Sequence, residues 1–420
     1  MIKQYLKQAF YMLKENRLVS IISIAGTAIS IAMIMVVVLM FQIQFANFSP
    51  ENNRDRMLYV ENGTEVKKGK NWNRGNMSSE VAKECFYALK LPEAVTAYAS
   101  RSKPLSIPGK RMYKAYSVKY TDPGFWKIFS FRFITGKPFT EADFNSGIPQ
   151  AVISRSIAQK LYGTTDVVGK PVIIDLDTYT ICGVVEDVSK AANTAFGDAW
   201  IPYNADQVLV KNTNCENMAG SFAICILAKS PDDFEPIRKE LLGQIARYNA
   251  TKQDWQVNFF ENPITQFDVA IGSDGQEKKQ WKGYFVETGA LLLFLLLVPA
   301  LNLLGVTQSG VQKRRAEMGV RKAFGATGGV LIRQILYENC LITLMGGGIG
   351  LVLSFLILPV CKDFLLTQKD VTLQGDMLFQ PVVFLAALLF SLLLNMLSAG
   401  IPATRIARQQ IVSSLKDNEE

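Results

Sequence analysis

The chain has 420 residues with no histidine, 45 basic and 37 acidic side chains, and an apolar content of 49%. The lack of histidine excludes Ser/His and Cys/His catalysis and disfavours a zinc site. The net charge of +8 does not point to nucleic acid: residues 49–283 hold 30 basic and 27 acidic side chains, and the excess lies at the edges of apolar segments, which is the positive-inside and anionic-lipid pattern.

Four charge-free stretches organise the sequence: Leu18–Pro50, Thr288–Gln312, Asn339–Cys361 and Met377–Thr404. Each exceeds the ~20 residues needed to cross a hydrocarbon core of about 30 Å. They predict an α-helical membrane protein with four transmembrane helices and a large α+β extracytoplasmic domain between helices 1 and 2.

In chain order, residues 1–17 alternate apolar and basic positions, as a cytoplasmic amphipathic helix does. A first span over 18–46 follows, too long for a signal-peptide core and without a small-residue cleavage site. Gly26 and Ser30 in it form a small-xxx-small pair that lets another helix approach. Residues 47–283 mix strand and helix signals. Strands are expected at Met57–Val60, Tyr113–Tyr120, Ala151–Ser154, Phe222–Lys229 and Trp255–Glu261, and a hairpin joins Pro171–Asp175 to Tyr179–Asp187 through Leu176–Thr178. Helices are expected at Ser78–Lys90, Arg155–Tyr162 and Pro231–Asn249. Residues 190–199 and 210–220 read as long loops.

A second span covers 284–308, interrupted by Pro299 and Asn302. The loop 309–337 follows. Between Lys313 and Arg333 it carries six basic residues against the single acid Glu317, which places it on the cytoplasmic side. Ala316, Gly319, Val320, Ala323 and Phe324 share one helical face, Glu317 precedes Arg321 at the favourable i, i+4 spacing, and Gly325 suits the helix end. A docking helix and a plain topology anchor both fit this pattern. The third span, 338–361, contains a GxxxG pair at Gly346 and Gly350, which predicts a tight helix contact. A short outer loop over 362–379, a fourth span over 380–404 and a cytoplasmic tail over 405–420 complete the layout.

The soluble region offers no recognisable active site. Gly163–Lys170 approaches a phosphate loop, but its spacing is one residue too long and Pro171 stands where Ser or Thr is required. Glu186 and Asp187 are adjacent at a strand end and so point to opposite faces, a poor acid–base pair. Cys85, Cys182, Cys215 and Cys225 allow up to two disulfides or remain free thiols; no metal-ligand spacing occurs.

Three segments carry a family resemblance. Arg314–Thr327, RRAEMGVRKAFGAT, resembles the signature after the second span of MacB/FtsX-type ABC transporter permeases. Ala151–Asp187, with AVISRSIAQKLYG, VVGKPV and YTICGVVEDV, and Asp122–Phe139, DPGFWKIFSFRFITGKPF, are similar to the MacB-like periplasmic core domain. The resemblance implies a permease that is not itself an enzyme, dimeric with a second permease, and driven by a separate cytoplasmic ABC ATPase, which alone binds ATP. It carries the ATPase contact onto Arg314, Arg315, Glu317, Gly319, Arg321, Lys322 and Gly325. It implies an inner-membrane location with both termini cytoplasmic and the large domain periplasmic, and it admits a periplasmic adaptor and an outer-membrane channel as partners. Family members that use adaptors carry the ATPase on the same chain, a departure here. Drugs, antimicrobial peptides and lipoproteins are the cargo classes. The competing readings are a signalling subunit that activates a cell-wall hydrolase and an anchored receptor without an ATPase.

Overall fold

The computed structural model describes residues 17–67, 69–109, 114–273, 275, 286, 289–290, 324–325, 327–365 and 381–408. They divide into two units. One takes its residues from 1–42, 281–369 and 377–420, the other from 43–280 and 370–376.

Helix α1 (Arg17–Phe45) is followed by the second unit. This begins with β1 (Met57–Val60), β2 (Gly63–Lys67) and β3 (Lys70–Gly75), then a helical segment that starts as α2 (Ser79–Val81) and widens into a π turn over Ala82–Phe86. Next come β4 (Ala94–Ser106), β5 (Ala115–Thr121), α3 (Pro123–Ile128), β6 (Phe133–Gly136), α4 (Glu141–Asn145), β7 (Gln150–Ser154) and α5 (Arg155–Tyr162). The hairpin β8 (Pro171–Ile174) and β9 (Asp177–Val185) leads to β10 (Ala199–Pro202), α6 (Gln207–Lys211) and β11 (Ala223–Leu227). The unit ends with α7 (Phe234–Ala250), β12 (Trp255–Asn258), β13 (Ile264–Thr265) and α8 (Gln266–Ala270).

The main sheet runs β13-β1-β11-β4-β5-β10-β7-β9-β6, and β8 pairs with both β4 and β9. Strands β4, β5, β10, β7, β9 and β8 therefore close into a six-membered ring, which removes their free edges. Strand β4 serves both parts of the sheet. Its residues 94–98 pair with β11, 99–104 with β5, and Leu105 and Ser106 with β8. A separate small sheet has the order β12-β2-β3.

Period-two alternation sorts the strand side chains. Tyr116, Val118 and Tyr120 of β5 enter the main core with Ala151 and Ile153 of β7 and Ile201 of β10. Ile157, Ala158 and Leu161, spaced i, i+1 and i+4 on α5, cover the same core. Trp200, the β10 residue that alternates with these, packs instead against Phe131 at 5.2 Å and Trp126 at 6.4 Å between ring centres. Trp126 also meets Phe139 edge-on at 5.5 Å, so the DPGFWKIFSFRFITGKPF segment folds into an aromatic cluster.

Asp122 anchors that segment. It is 5% exposed, caps α3 by accepting from the Phe125 N–H at 3.0 Å, and accepts from the Thr96 hydroxyl at 2.6 Å and from the Tyr87 hydroxyl. Burial raises its pKa while these donors oppose the rise. A side chain at Gly124 would meet the Val95 carbonyl oxygen at 2.4 Å, so α3 lies hard against β4 only because that position has none.

The α+β class of the domain is as expected, with β1, β7, α5 and the α7 region at or within a residue or two of the expected bounds. Three elements differ from the expected bounds, and the open choice at the cysteines resolves to free thiols. The helix expected over Ser78–Lys90 keeps Ser78 as its cap but ends its regular turns at Phe86. The strand expected to reach Glu261 stops at Asn258, where the Asn258 side chain accepts from the Phe260 N–H and turns the chain. The hairpin turn falls on Asp175 and Leu176, with Asp175 at φ 61°. All four cysteines of the second unit are free thiols, and burial pushes those of Cys85 and Cys182 up to about 12.

The first unit contains α1 up to Gln42, α9 (Gly328–Leu365) and α10 (Pro381–Arg408). Helix α9 starts ten residues before the span expected at 338, so the end of the loop assigned to 309–337 is helical. Among the described residues one helical segment, Gly328–Ile357, is long and apolar enough to cross a membrane; Ser20–Val36 and Phe384–Leu394 are shorter apolar helices. The span expected at 284–308 lies outside the described residues apart from Val286, Gly289 and Ala290.

Glu65 of β2 gives the domain a pH dependence. It is 1% exposed, and its Oε2 has no partner among the described residues. Burial raises its pKa from 4.5 to about 7, against the opposing pull of a backbone N–H and Asn73. Between those values the unfolded chain has released the proton while the folded one keeps it, so rising pH favours unfolding, by about 3 kcal/mol across the window. Glu65→Gln is expected to flatten the dependence between pH 4.5 and 7 and to unfold at higher temperature than wild type at pH 8, measured by thermal melts at both ends of the window.

Candidate functional site

The predicted ATPase-contact residues Arg314, Arg315, Glu317, Gly319, Arg321 and Lys322 lie outside the described residues. Gly325 is described. It has φ 91° in an exposed turn beside Phe324, which is 89% exposed, and α9 begins three residues later. The left-handed backbone there suits glycine.

The predicted helix-packing residues fall along a seam in the first unit. A side chain at Gly346 would meet the Thr27 side chain at 2.8 Å, and one at Gly350 would meet the Ala28 carbonyl oxygen at 2.7 Å and Ile31 at 3.1 Å. Gly347, on the adjoining face, stands against Leu388 of α10, where a side chain would meet Cδ1 at 2.5 Å. The α9 glycines thus admit α1 on one side and α10 on the other. Thr27, Ala28 and Ile31 make these α1 contacts; of the pair marked in the sequence, Ser30 is buried and Gly26 half-buried.

Buried polar side chains along the seam turn back onto their own helices. Thr27 donates to the Ser23 carbonyl at 2.8 Å, Thr343 to Asn339 at 2.8 Å, and Asn339 to Ile335 at 2.9 Å. Each of these three bonds closes within one helix, which is how a polar side chain meets a donor's need in an apolar surrounding. Gly350→Leu is expected to separate α9 from α1 and to lower the unfolding temperature of the detergent-purified chain by several degrees, with Gly348→Leu, where nothing stands within 4 Å, as the neutral control.

A second constellation, not anticipated from the sequence, lies in the second unit where α1 ends. Arg54 is 2% exposed. Its Nε donates to Glu51 Oε2 at 2.6 Å, Nη1 donates to the Ile43 and Ala46 carbonyls at 3.1 and 3.3 Å, and Nη2 donates to the Ala191 carbonyl at 2.5 Å. Phe48 lies under the guanidinium at 4.0 Å, and Glu51 Oε1 accepts from the Ala195 N–H at 2.8 Å. The guanidinium therefore caps the last turn of α1, whose carbonyls have no helical partners, and ties it to loop 189–195. The sequence signal was Glu51 and Arg54 at i, i+3 directly after an apolar run; their burial depends on a distant loop. Arg54→Ala is expected to cost about 3–5 kcal/mol by leaving the Glu51 carboxylate buried without its cation, and Glu51→Gln added to it should recover part of the loss in denaturant unfolding.

The same loop covers Lys119. This β5 residue points away from the core by strand alternation yet is 3% exposed. Its ammonium donates to the Thr194 and Asn193 carbonyls at 2.7 and 3.3 Å and sits over the Tyr98 ring at 5.0 Å; burial pulls its pKa down to about 8. It lines a polar cavity of about 430 Å³ with Glu61 and Arg101.

The motifs weighed as chemistry prove structural. Gly163 and Gly169, at φ 75° and 83°, end α5 and turn into β8. Glu186 pairs with Arg155 at 2.5 Å, while Asp187 accepts from the Ser156 N–H and hydroxyl at 2.9 and 2.6 Å, so both carboxylates secure the first turn of α5.

Comparison with known families places these features. The MacB-like periplasmic core domain matches residues 20–243, and the FtsX-like permease C-terminal domain matches residues 289–411. The chain belongs to the MacB/FtsX-type ABC transporter permease family. An uncharacterized ABC transporter permease of Bacillus subtilis, YknZ, is 22% identical, with 98% of each chain covered. The macrolide export ATP-binding/permease protein MacB of Chromobacterium violaceum is 22% identical over 97% of this chain but only 60% of its own length. A solved extracellular domain of YknZ from Gram-positive bacteria matches with a TM-score of 0.34 and 19% identity, over 43% of this chain and 88% of that domain. In this permease the core-domain match includes both the Asp122 and Arg54 constellations, and the FtsX-like match includes the glycine seam of α9.

Proposed function

We propose that the chain is a permease subunit that transmits the cycle of a separate cytoplasmic ABC ATPase to its extracytoplasmic domain, for export or extraction of a substrate. The observation that carries this reading is the pair of family matches, a MacB-like periplasmic core domain over residues 20–243 and an FtsX-like permease domain over 289–411, together with a relative named as a permease that matches over 98% of each chain. In this reading ATP is bound by the partner ATPase, and this chain carries no catalytic step and no cofactor.

In this reading four spans cross the bacterial cytoplasmic membrane, at 18–46, 284–308, 338–361 and 380–404. Both termini and loop 309–337 are cytoplasmic, and residues 47–283 are periplasmic. A second permease completes a dimer, and Arg314, Arg315, Glu317, Gly319, Arg321, Lys322 and Gly325 contact the ATPase. A periplasmic adaptor and an outer-membrane channel are the further partners, and drugs, antimicrobial peptides or lipoproteins the cargo classes. A polar ectodomain cavity and a helix C-terminus secured to that domain support a mechanical subunit with substrate handled outside.

Co-purification from detergent tests the reading. Wild type is expected to bring down an ATPase, and Glu317→Lys, which reverses the one acidic charge of the basic loop, to lose it. Recovery of wild type without any ATPase would refute the coupling role; retention by the variant would refute the part given to Glu317.

A further inference from the structure

A second cavity of about 620 Å³ adjoins the Lys119 cavity in the same unit and shares Ser100 and Arg101 with it. Its volume falls within the range of small-molecule sites. Four basic side chains line it, Arg101, Lys114, Lys160 and Lys190, against two acids, Asp187 and Asp198. The surrounding domain is nearly neutral, so this imbalance is local.

Some cations elsewhere in the domain meet carboxylates: Lys103 with Asp175 at 2.5 Å, Lys252 with Glu80 at 2.7 Å, Arg56 with Glu93 at 3.1 Å. Arg101, Lys114 and Lys160 meet none among the described residues. Arg101 donates to the Ser221 hydroxyl at 3.0 Å. The Lys114 and Lys160 ammoniums stand 5.9 and 5.7 Å from the centre of one ring, that of Tyr116. Both acids are already engaged inside the fold, Asp187 by Ser156 and Asp198 by the Ser117 N–H at 2.8 Å. Lys114 and Lys160 are both exposed, and two ammoniums drawn to one ring repel each other less when an anion is bound beside them. The hydroxyls of Ser100, Ser102 and Ser117 lining the same cavity supply neutral donors beside the cations.

We propose that this cavity binds a small polyanion, bearing phosphate or carboxylate groups, between Arg101, Lys114 and Lys160. The guanidinium offers a forked contact to one anionic group, and the two ammoniums hold a second as point charges. The site is independent of ATPase coupling, and its occupancy is read without any ATPase.

Calorimetric titration tests it on the full-length chain in nanodiscs of zwitterionic lipid, with pyrophosphate and citrate as probes and glucose as the uncharged control. At least one anion is expected to bind saturably, more weakly as ionic strength rises, and glucose not at all. The double substitution Lys114→Gln with Lys160→Gln, and separately Arg101→Gln, should each weaken binding about tenfold or more, with unfolding temperatures near wild type because these side chains are exposed. Lys127→Gln, a 67% exposed lysine outside the cavity, should leave it unchanged. Absence of binding by both anions at matched ionic strength, or binding that survives both sets of substitutions, would overturn the proposal. Binding seen only when anionic lipid replaces the zwitterionic lipid would also overturn it, since the ligand would then be a headgroup.

Discussion

Strand β4 is the constraint on which the outer domain depends. A single extended run of thirteen residues pairs with β11 along its first part and with β5 and β8 along its second. Because strand side chains alternate with period two, its register fixes which residues of both flanking regions face the core. A slip of one residue would turn Ala97, Ala99 and Leu105 out of the core and destroy the closure through β8. The close packing of α3 on β4 at Gly124, and the contacts of Asp122 with Thr96 and Ala97, hold the strand from one side. The cavities beside Ser100 and Arg101 open where the strand passes from one partner to the next.

Much of the domain could be read from the chain because local signals agreed with the final structure. Ser154, Arg155–Tyr162 and Gly163 form a capped, amphipathic and properly terminated helix in sequence and in space. Strand β4 was missed for the opposite reason. Its second half contains Arg101, Lys103 and Pro104, residues with poor strand preference, and becomes extended only because β5 pairs with 99–104. The strand that carries Lys119 was legible as alternation over Tyr113–Tyr120, but the burial of Lys119 comes from residues 193–194, part of a segment without periodic pattern. Of the candidate site, the Gly346 and Gly350 spacing was visible, whereas the identity of their neighbours on α1 needed the packed helices. Of the residues assigned to the ATPase contact, Gly325 alone falls among the described residues.

Arg54 and the glycine seam solve two problems with opposite chemistry. Where α1 ends, four carbonyls lack partners, and a buried cation with several fixed donors supplies what the chain cannot. Along the seam the backbone is already satisfied, and what matters is the distance of approach, set by leaving side chains out at Gly346, Gly347 and Gly350. The first arrangement tolerates no simple replacement of arginine, because Glu51 and three carbonyls converge on it. The second tolerates only residues as small as those present.

The length of α9 has its own consequence. Thirty-eight helical residues span about 57 Å, against a hydrocarbon core of about 30 Å. In the membrane-spanning arrangement proposed above, a large part of this rod stands in the headgroup layer or in water, with Arg333 exposed in its first turns. Bilayer thickness then sets how much of that end emerges. A thicker membrane draws the early turns inward or demands less tilt, and a thinner one releases them. The turn at Gly325 is three residues from the start of the rod, so hydrophobic mismatch acts on the segment that leads directly into the basic loop.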